Sequence, residues 1–180
     1  MILSVDNQRT FLSTKLPMIR MIYKIKKTEF KEGTTIQLLD SLVNTPEKRL
    51  AWDTGLKEYK YNEFLDSYSI IYSQLKNPIP FMSPRDLIDK KIDFYHNNTF
   101  YSFASSISDD FYPVVKGVER IIEIINCFSI GEDEENFIFR TLSQGDFKVP
   151  SNNTLLSITL PGKLRDWYKK LKEVVNKNNE

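Results

Sequence analysis

The chain has 180 residues, of which 41% are hydrophobic and 27% are charged, and its formal net charge is +1. This composition is typical of one globular domain, and a charge so close to zero provides no field for holding a polyanion, so we expect no nucleic-acid partner. No apolar run approaches the ~20 residues of a membrane span, and the N-terminus lacks a basic segment followed by an apolar one, so we expect neither a transmembrane helix nor a signal peptide.

The first third of the chain predicts strands followed by two short helices. Two stretches rich in β-forming residues predict strands at Gln8 to Leu16 and at Met18 to Phe30. Apolar residues at helical spacing then predict a helix over 34–44. Thr45 and Pro46 suit the N-cap and first position of a second helix, which we expect to end near Trp52.

After Asp53 the pattern predicts a long series of strands. These predicted strands are Leu56–Leu65, Tyr68–Lys76, Asp86–Tyr95, Thr99–Ser108, Gly117–Ile130 and Glu135–Phe147. Turn-forming pairs or triplets separate them at 66–67, 77–78, 97–98, 109–110 and 131–133. Because the connections are short, the strands favour an antiparallel meander over βαβ units.

The C-terminal segment predicts a long amphipathic helix. Its apolar residues recur at helical spacing: Leu164, Trp167, Tyr168, Leu171, Val174 and Val175. Lysines and an arginine occupy most of the opposite side. The predicted fold class is therefore α+β, with an antiparallel sheet and one long helix whose apolar face packs on it. Such a sheet and helix can enclose a space that is filled either by side chains or by a ligand.

Five short motifs resemble, in their order along the chain, those of START domains, the lipid-transfer domains related to steroidogenic acute regulatory protein. They are RLAWD at 49–53, PIPFMSPRD at 78–86, GVER at 117–120 (preceded by Pro113), QGDFKVP at 144–150 and LRDWYKKL at 164–171. Each motif alone has low specificity. Together they span most of the chain between residues 49 and 171.

The resemblance implies a helix-grip fold, in which a curved antiparallel sheet wraps a long C-terminal helix around a tunnel that holds one lipid. We expect a single domain over residues 1–180. The family's first helix is expected to be absent, because this chain begins just before the strands. The segment 146–150 is shorter than in the family and lacks the family's glycine, which leaves the local turn open.

The resemblance also implies non-enzymatic lipid binding and transfer between membranes. The motifs are loosely closest to the phosphatidylcholine-transfer branch, so a glycerophospholipid such as phosphatidylcholine is the expected ligand. We expect a cytoplasmic monomer that contacts membrane surfaces transiently and needs no cofactor or metal. Two alternatives remain open within the same fold: a lipid-sensing regulatory module of a larger protein, and a sterol-binding START domain.

An enzyme of the related cyclase-like helix-grip folds is a third alternative with less support. No lipase, zinc-protease or Walker motif is present in the sequence. His96 and Cys127 are the only histidine and cysteine, and they fall in a predicted turn and a predicted strand. A cysteine–histidine nucleophile pair is therefore not indicated. The single cysteine also excludes an internal disulfide and is typical of a reducing compartment.

Four residues are candidates for lipid contact on chemical grounds. By the resemblance, Arg49 faces the lipid phosphate, for which a guanidinium fork is suited; the alternative is an ion pair with Asp53 or Glu47. Trp52 belongs either to the core or to the ligand wall, with the core favoured. Lys91 and Asp93 lie on one face of a strand and form either a charge pair inside the tunnel or part of a solvated face.

Two further candidates come from the approximate alignment with the family. The positions that mark a ceramide-type head-group site carry Ala104 and Leu142 here, which weakens ceramide as a ligand. For membrane contact we select Ile79, Phe81 and Met82, which lie between prolines in a loop of the sheet. An apolar loop tip is costly in water unless it meets a partner, although it can also fold back on the last helix. The lysines of that helix either steer the protein to anionic lipid or are ordinarily solvated.

Overall fold

A single sheet and three helices make up the described part of the chain. The computed structural model describes residues 2–6, 16, 18–65, 67–76, 82–108, 112–148 and 153–177. The strands are β1 (Ile2–Asp6), β2 (Met18–Lys26), β3 (Leu56–Leu65), β4 (Tyr68–Leu75), β5 (Arg85–His96), β6 (Thr99–Ser106), β7 (Glu119–Arg120), β8 (Ile122–Glu132) and β9 (Asn136–Asp146). The helices are α1 (Ile36–Asn44), α2 (Pro46–Trp52) and α3 (Asn153–Lys177).

The sheet is an antiparallel meander, as the sequence predicts. Its strand order is β1-β2-β9-β8-β6-β5-β4-β3, and β7 lies off this path and pairs in parallel with the start of β5. The helices α1 and α2 connect β2, the second strand from one edge of the sheet, to β3 at the other edge. The order of strands, small helices, sheet and long C-terminal helix confirms the predicted helix-grip α+β fold.

Several element ends differ from the prediction for local reasons. Strand β2 stops at Lys26 because residues 27–29 form a 3₁₀ turn, and Gly131 and Glu132 belong to β8. The β8–β9 turn starts instead at Asp133, whose Oδ1 accepts the backbone N–H groups of Glu135 and Asn136. Strand β1 was not predicted, and the predicted strand 8–16 lies outside the described residues except for Leu16.

The core occupies one half of the space between the sheet and α3. Its buried aromatic and aliphatic side chains come from the sheet, from α1 and α2, from the C-terminal half of α3, and from Phe30 after the 3₁₀ turn. They are Met21, Ile25, Phe30, Ile36, Leu39, Leu42, Val43, Trp52, Phe100, Ile130, Phe137, Phe139, Tyr168, Leu171 and Val175. The ring of Tyr168 lies 4.3 Å from Tyr23 and 5.0 Å from Phe139, so it fixes the helix on the sheet. Helix α3 continues through Pro161.

Three of the family-like motifs meet at the start of β5. The carboxylate of Asp86, which is fully buried, accepts two hydrogen bonds from Arg120 at 2.6 and 2.9 Å. The neighbouring Arg85 donates to the carbonyl oxygen of Lys148 at 2.8 Å and pairs with Glu119 at 3.2 Å. These contacts hold the start of β5 against β7 and against Lys148, which follows β9.

Candidate functional site

A cavity of ≈ 630 Å³ lies between the sheet and the middle of α3. Its described lining includes residues from seven strands and all three helices. The apolar part is supplied by Met21, Val43, Leu56, Tyr59, Ile71, Leu75, Leu87, Ile121, Phe128, Phe147, Leu164, Trp167 and Tyr168. This volume is within the ~300–1,000 Å³ range of small-molecule sites in proteins.

Residue size along the inner face of the sheet explains why this space is open. On β6 the inward positions are Phe100, Ser102 and Ala104, and only Phe100 belongs to the core. Towards the cavity end the same face therefore carries small side chains, which cannot reach α3. Successive inward positions of a strand lie about 7 Å apart, so the change from core to cavity occurs within one step along β6.

Arg49 and Asp53 form the rim of the cavity below α3. Nε of Arg49 pairs with Oδ2 of Asp53 at 3.2 Å, and Nη1 donates to the carbonyl oxygen of Val43 at 3.1 Å. The guanidinium also lies over the rings of Tyr59 and Trp167, at 5.3 and 5.6 Å from their centroids. Arg49 thus lines the cavity and at the same time makes the Asp53 ion pair that was its alternative role.

Lys91 lies at the end of the cavity that is opposite the start of β5. Its side chain is 4% exposed, and Nζ pairs with Oδ2 of Asp93 at 2.6 Å and donates to Oδ1 of Asn44 at 2.9 Å. Lys91 lines the cavity, whereas Asp93 lines an outer groove of ≈ 690 Å³ between the small helices and the end of β5. The two residues form an ion pair at the boundary between the cavity and this groove.

A pair of buried carboxyl groups, Asp89 and Glu123, faces the cavity from β5 and β8. Both residues are less than 8% exposed. Oγ of Ser106 links them, since it donates to Oδ1 of Asp89 at 2.8 Å and accepts the backbone N–H of Glu123 at 2.8 Å. Asn126 donates to both carboxyl oxygens of Glu123, at 3.1 and 3.2 Å, and Ser143 donates to Oε1.

Burial changes the acidity of this carboxyl pair. Desolvation raises the pKa of Asp89 to about 6, against a smaller opposing effect of the Ser106 hydrogen bond. Desolvation and the nearby charge of Asp89 raise the pKa of Glu123 to about 7, again opposed by its hydrogen bonds. Both groups therefore titrate closer to neutral pH than free carboxyl groups do.

A β-bulge places Glu123 in the cavity. In a regular strand, residues three apart face opposite sides, yet Glu123 and Asn126 both line the cavity. The register of β8 against β9 shifts between Glu123 and Ile125, which brings both side chains inward. Opposite the bulge, a Cβ on Gly145 would lie 2.6 Å from the carbonyl oxygen of Ile122, so the close approach of the strands requires glycine.

The remaining predicted site residues lie in different places. Trp52 is a core residue, 6% exposed, whose Nε1 donates to the carbonyl oxygen of Leu42 at 3.0 Å. Ala104 lines the cavity. Leu142 pairs with Cys127 and so lies on the outer face of the sheet with Phe103, away from the cavity.

The predicted membrane-contact loop is only partly described. Ile79 and Phe81 lie outside the described residues, and Met82 is half-buried. The described part of the chain contains no helix that is long and apolar enough to cross a bilayer. It also contains no group of three or more side chains placed to hold a metal ion.

Sequence reasoning missed Asp89 and Glu123, although two signals pointed to them. The alternation that puts Lys91 and Asp93 on one face of β5 puts Asp89 on the same face. Glu123 is a lone carboxylate in a run of four isoleucines at 121, 122, 124 and 125, and a charge within such an apolar run is expected to be buried.

Comparison with known proteins gives matches only at the level of structure. No family model and no curated protein matches the sequence. Human StAR-related lipid transfer protein 5 superposes with a TM-score of 0.76 at 15% identity, covering 99% of this chain and 83% of that one. Human STARD10 superposes with a TM-score of 0.75 at 16% identity, covering 96% and 72%.

A bacterial structure shows the same similarity over nearly its whole length. The STAR-related lipid transfer protein of Xanthomonas axonopodis has a TM-score of 0.66 at 14% identity, and the match covers 96% of this chain and 98% of that one. At sequence identities this low, the structural matches establish the fold and leave the ligand open. The motif resemblance and the observed topology agree with these matches: the chain has the helix-grip fold of the StAR-related lipid transfer, or START, domains.

Proposed function

We propose that this chain binds one lipid in the cavity under α3 and carries it between membranes without chemical change. The observation that carries the proposal is the ≈ 630 Å³ cavity between the sheet and α3, in a fold whose neighbours include proteins named as lipid transfer proteins. The cavity walls supply apolar surface for hydrocarbon, and the charged groups at its two ends suit a polar head.

The energetic need for such a carrier follows from hydrocarbon solvation. Each methylene exposed to water costs ~0.8 kcal/mol, so a lipid with two long chains faces a barrier on the order of 20 kcal/mol when it crosses water alone. An apolar cavity provides the chains with a second nonaqueous environment and removes most of that barrier. Binding and release are sufficient for this task, and no reaction step is required.

A glycerophospholipid is the proposed ligand class because of Arg49. The two hydrogen bonds to Asp53 and Val43 use two of the five N–H groups of the guanidinium, and the side chain lines the cavity. Lys163 and Lys170 of α3 line the same end of the cavity. These cations favour an anionic phosphate there, whereas a sterol offers them only a neutral hydroxyl group. We also propose that the protein is a cytoplasmic monomer that docks peripherally at membranes.

Lipid extraction and transfer measurements test the proposal together. Purified protein is examined by native mass spectrometry, and its extracted lipids are identified. Transfer of fluorescent phospholipid and of fluorescent sterol between vesicles is then measured with and without protein. We expect bound lipid and phospholipid transfer that scales with protein concentration. Protein that binds and transfers neither lipid would contradict carriage, and transfer of sterol alone would contradict the phospholipid class.

A further inference from the structure

The cations inside the cavity have acidic partners, whereas the buried carboxyl pair has no cationic partner among the described residues. Arg49 has Asp53 as its partner, and Lys91 has Asp93, at 3.2 and 2.6 Å. The other described lysines of the lining, at 76, 163 and 170, lie at its rim. Within the described part of the chain, no cation lies within ion-pair distance of the buried carboxyl groups that face the cavity from β5 and β8.

The acceptor atoms of this pair are also incompletely used. Oδ1 of Asp89 accepts a hydrogen bond from Ser106, whereas none of the described residues donates one to Oδ2. Only 5% of the surface of Asp89 is exposed. Asp89 lines the cavity, so this free oxygen has the cavity as its open side. A carboxylate oxygen that opens on the cavity and has no donor among the described residues is available to a ligand that supplies one.

We propose that the cavity recognises a lipid whose polar group is a primary ammonium, held between Asp89 and Glu123. The proposal rests on the proposed lipid carriage and specifies its head group. An ammonium supplies both missing elements, a positive charge and N–H donors. Ser102, Ala104 and Asn126 border the same region and leave space for a small group.

The lining selects a hydrogen-bonding cation over a quaternary one. Quaternary ammonium groups are recognised mainly by cages of several aromatic rings. By register, Phe128 and Phe147 are the aromatic residues of the described lining on the side of the carboxyl pair, and the rest of the lining there is aliphatic or polar. Tyr59 and Trp167 instead lie against Arg49. The hydrogen-bond acceptors of Asp89 and Glu123 therefore favour N–H groups over N-methyl groups.

The raised pKa values of the two carboxyl groups are consistent with this role. Burial holds the pKa of Asp89 at about 6 and, with the charge of Asp89, the pKa of Glu123 at about 7 in the absence of a cation. A bound ammonium would stabilise both ionised forms and compensate the cost of burying them.

Four single-chain probes of equal chain length separate the effect of charge from that of hydrogen bonding. Delipidated protein is titrated calorimetrically with dodecylamine, N-acetyl-dodecylamine, dodecyltrimethylammonium and dodecanol, each below its micelle concentration. We expect dodecylamine to bind roughly 10-fold to 100-fold more tightly than the neutral probes, the range for a charge-assisted hydrogen bond. Dodecyltrimethylammonium should bind more weakly than dodecylamine.

Charge-removing variants test whether the carboxyl pair is responsible. Asp89→Asn combined with Glu123→Gln keeps the shape and should reduce the preference for dodecylamine over dodecanol to within about threefold, while dodecanol binding shows that the cavity is intact. Glu134→Gln removes the same charge from the exposed β8–β9 turn and should leave the preference unchanged. Asp89→Asn alone serves if the double variant does not fold.

The outcomes distinguish this inference from the proposed function. Equal affinity of the wild-type protein for dodecylamine and dodecanol, or a preference that survives both carboxyl substitutions, would overturn ammonium recognition while lipid carriage stands. Equal affinity for dodecylamine and dodecyltrimethylammonium would overturn the requirement for N–H donors. Failure of the wild-type protein to bind any probe or any phospholipid would overturn carriage and the head-group inference together.

Discussion

Nε1 of Trp167 donates a 2.8 Å hydrogen bond to Oδ2 of Asp53, so the long C-terminal helix is attached to the residue that ends α2. The same carboxylate accepts from Nε of Arg49 and, through Oδ1, from the backbone N–H of Gly55. One buried acid thus joins the RLAWD motif to the last family-like motif across 114 residues of sequence. This link lies at the cavity rim, where α3 must move if the cavity is to open.

Removing this acid should weaken the attachment of α3. Asp53→Ala leaves three donors without their acceptor, so we expect the free energy of unfolding to fall by about 2–3 kcal/mol. Hydrogen exchange in the segment 164–171 should accelerate more than in β8 and β9. Asp53→Asn keeps one oxygen acceptor and should lose less. One control is Glu173→Ala, which removes an exposed acid from α3, and the other is hydrogen exchange in the sheet itself. Unchanged hydrogen exchange in 164–171 would show that Asp53 does not hold the helix.

Arg49 should distinguish phospholipid from sterol. Arg49→Ala removes a cation from the cavity lining, so phospholipid binding is expected to fall by roughly tenfold or more while sterol binding changes little. Arg49→Lys keeps the charge without the fork and should be intermediate. Binding is measured with vesicles that carry either fluorescent lipid, and Arg165→Ala on the exposed side of α3 is the control. Equal losses for both lipids would make Arg49 a structural residue that supports Asp53.

The buried carboxyl pair predicts an unusual dependence of stability on pH. Because the folded-state pKa values of Asp89 and Glu123 are raised to about 6 and about 7, the folded chain binds protons more tightly than the unfolded chain between pH 4 and pH 7. Stability of the ligand-free protein should therefore decrease as pH rises through this window and level off above it. The decrease is on the order of 3 kcal/mol per group at most.

Urea denaturation between pH 5 and pH 8 measures this effect. Glu123→Gln should be more stable relative to the wild-type protein at pH 8 than at pH 5, whereas Glu134→Gln should not change the slope. The lowered pKa values of Glu29, Asp133 and Asp146 act below pH 4.5 and leave this window unaffected. Parallel pH profiles for the wild-type protein and Glu123→Gln would contradict the assignment.

Capping and turn-forming residues explain which elements were predictable from sequence. Helix α2 was predicted at Pro46 to Trp52 because Thr45 and Pro46 mark its start, and the structure gives those bounds. The strands of the meander were predicted because turn-forming pairs interrupt their apolar patterns. The fold followed from motif order, since residues such as Asp86 and Arg120 belong to separate motifs that the topology brings into contact.

The site was less predictable because it depends on register and on one bulge. Leu142 was selected by alignment, and its pairing with Cys127 puts it on the outer face of the sheet. A shift of one residue in register would reverse that face, and a single sequence does not define register between β8 and β9. Glu123 faces inward only because of the bulge opposite Gly145, a contact between residues 22 positions apart that strand periodicity cannot reveal.

Substitution of that glycine should disturb the carboxyl pair. A Cβ at position 145 would lie 2.6 Å from the carbonyl oxygen of Ile122 and 2.9 Å from Cα of Glu123, both backbone atoms that cannot give way cheaply. We expect Gly145→Ala to reduce the free energy of unfolding by about 1–3 kcal/mol, as overpacking does. Gly162→Ala, where a Cβ meets open space within a helix, is the matched control and should be neutral or stabilising. Equal stability of the two variants would show that the strands can separate at the bulge.

The loop that precedes β5 should control the rate of transfer and not the capacity of the cavity. Ile79 and Phe81 are apolar, and the prolines at 78 and 80 remove two backbone N–H donors from a segment that we expect to enter lipid. A net charge of +1 provides little electrostatic attraction to a membrane, so apolar insertion is expected to supply much of the weak, reversible association. Replacing both Ile79 and Phe81 by Asp should slow lipid transfer between vesicles by roughly tenfold, since each inserted side chain contributes about 1.5–3 kcal/mol when it is fully buried.

The equilibrium amount of lipid bound per protein should stay nearly unchanged in this variant, because the loop does not supply the described cavity lining. The matched control places Asp at Ile92 and Phe94, which are 44% and 43% exposed on the outer face of the sheet and should leave transfer unaffected. Vesicle transfer assays at low and high salt, together with lipid counts by native mass spectrometry, separate docking from binding. If the loop variant transfers lipid at the wild-type rate while folded, and transfer falls with added salt, the lysines on α3 are the docking element and the loop is not.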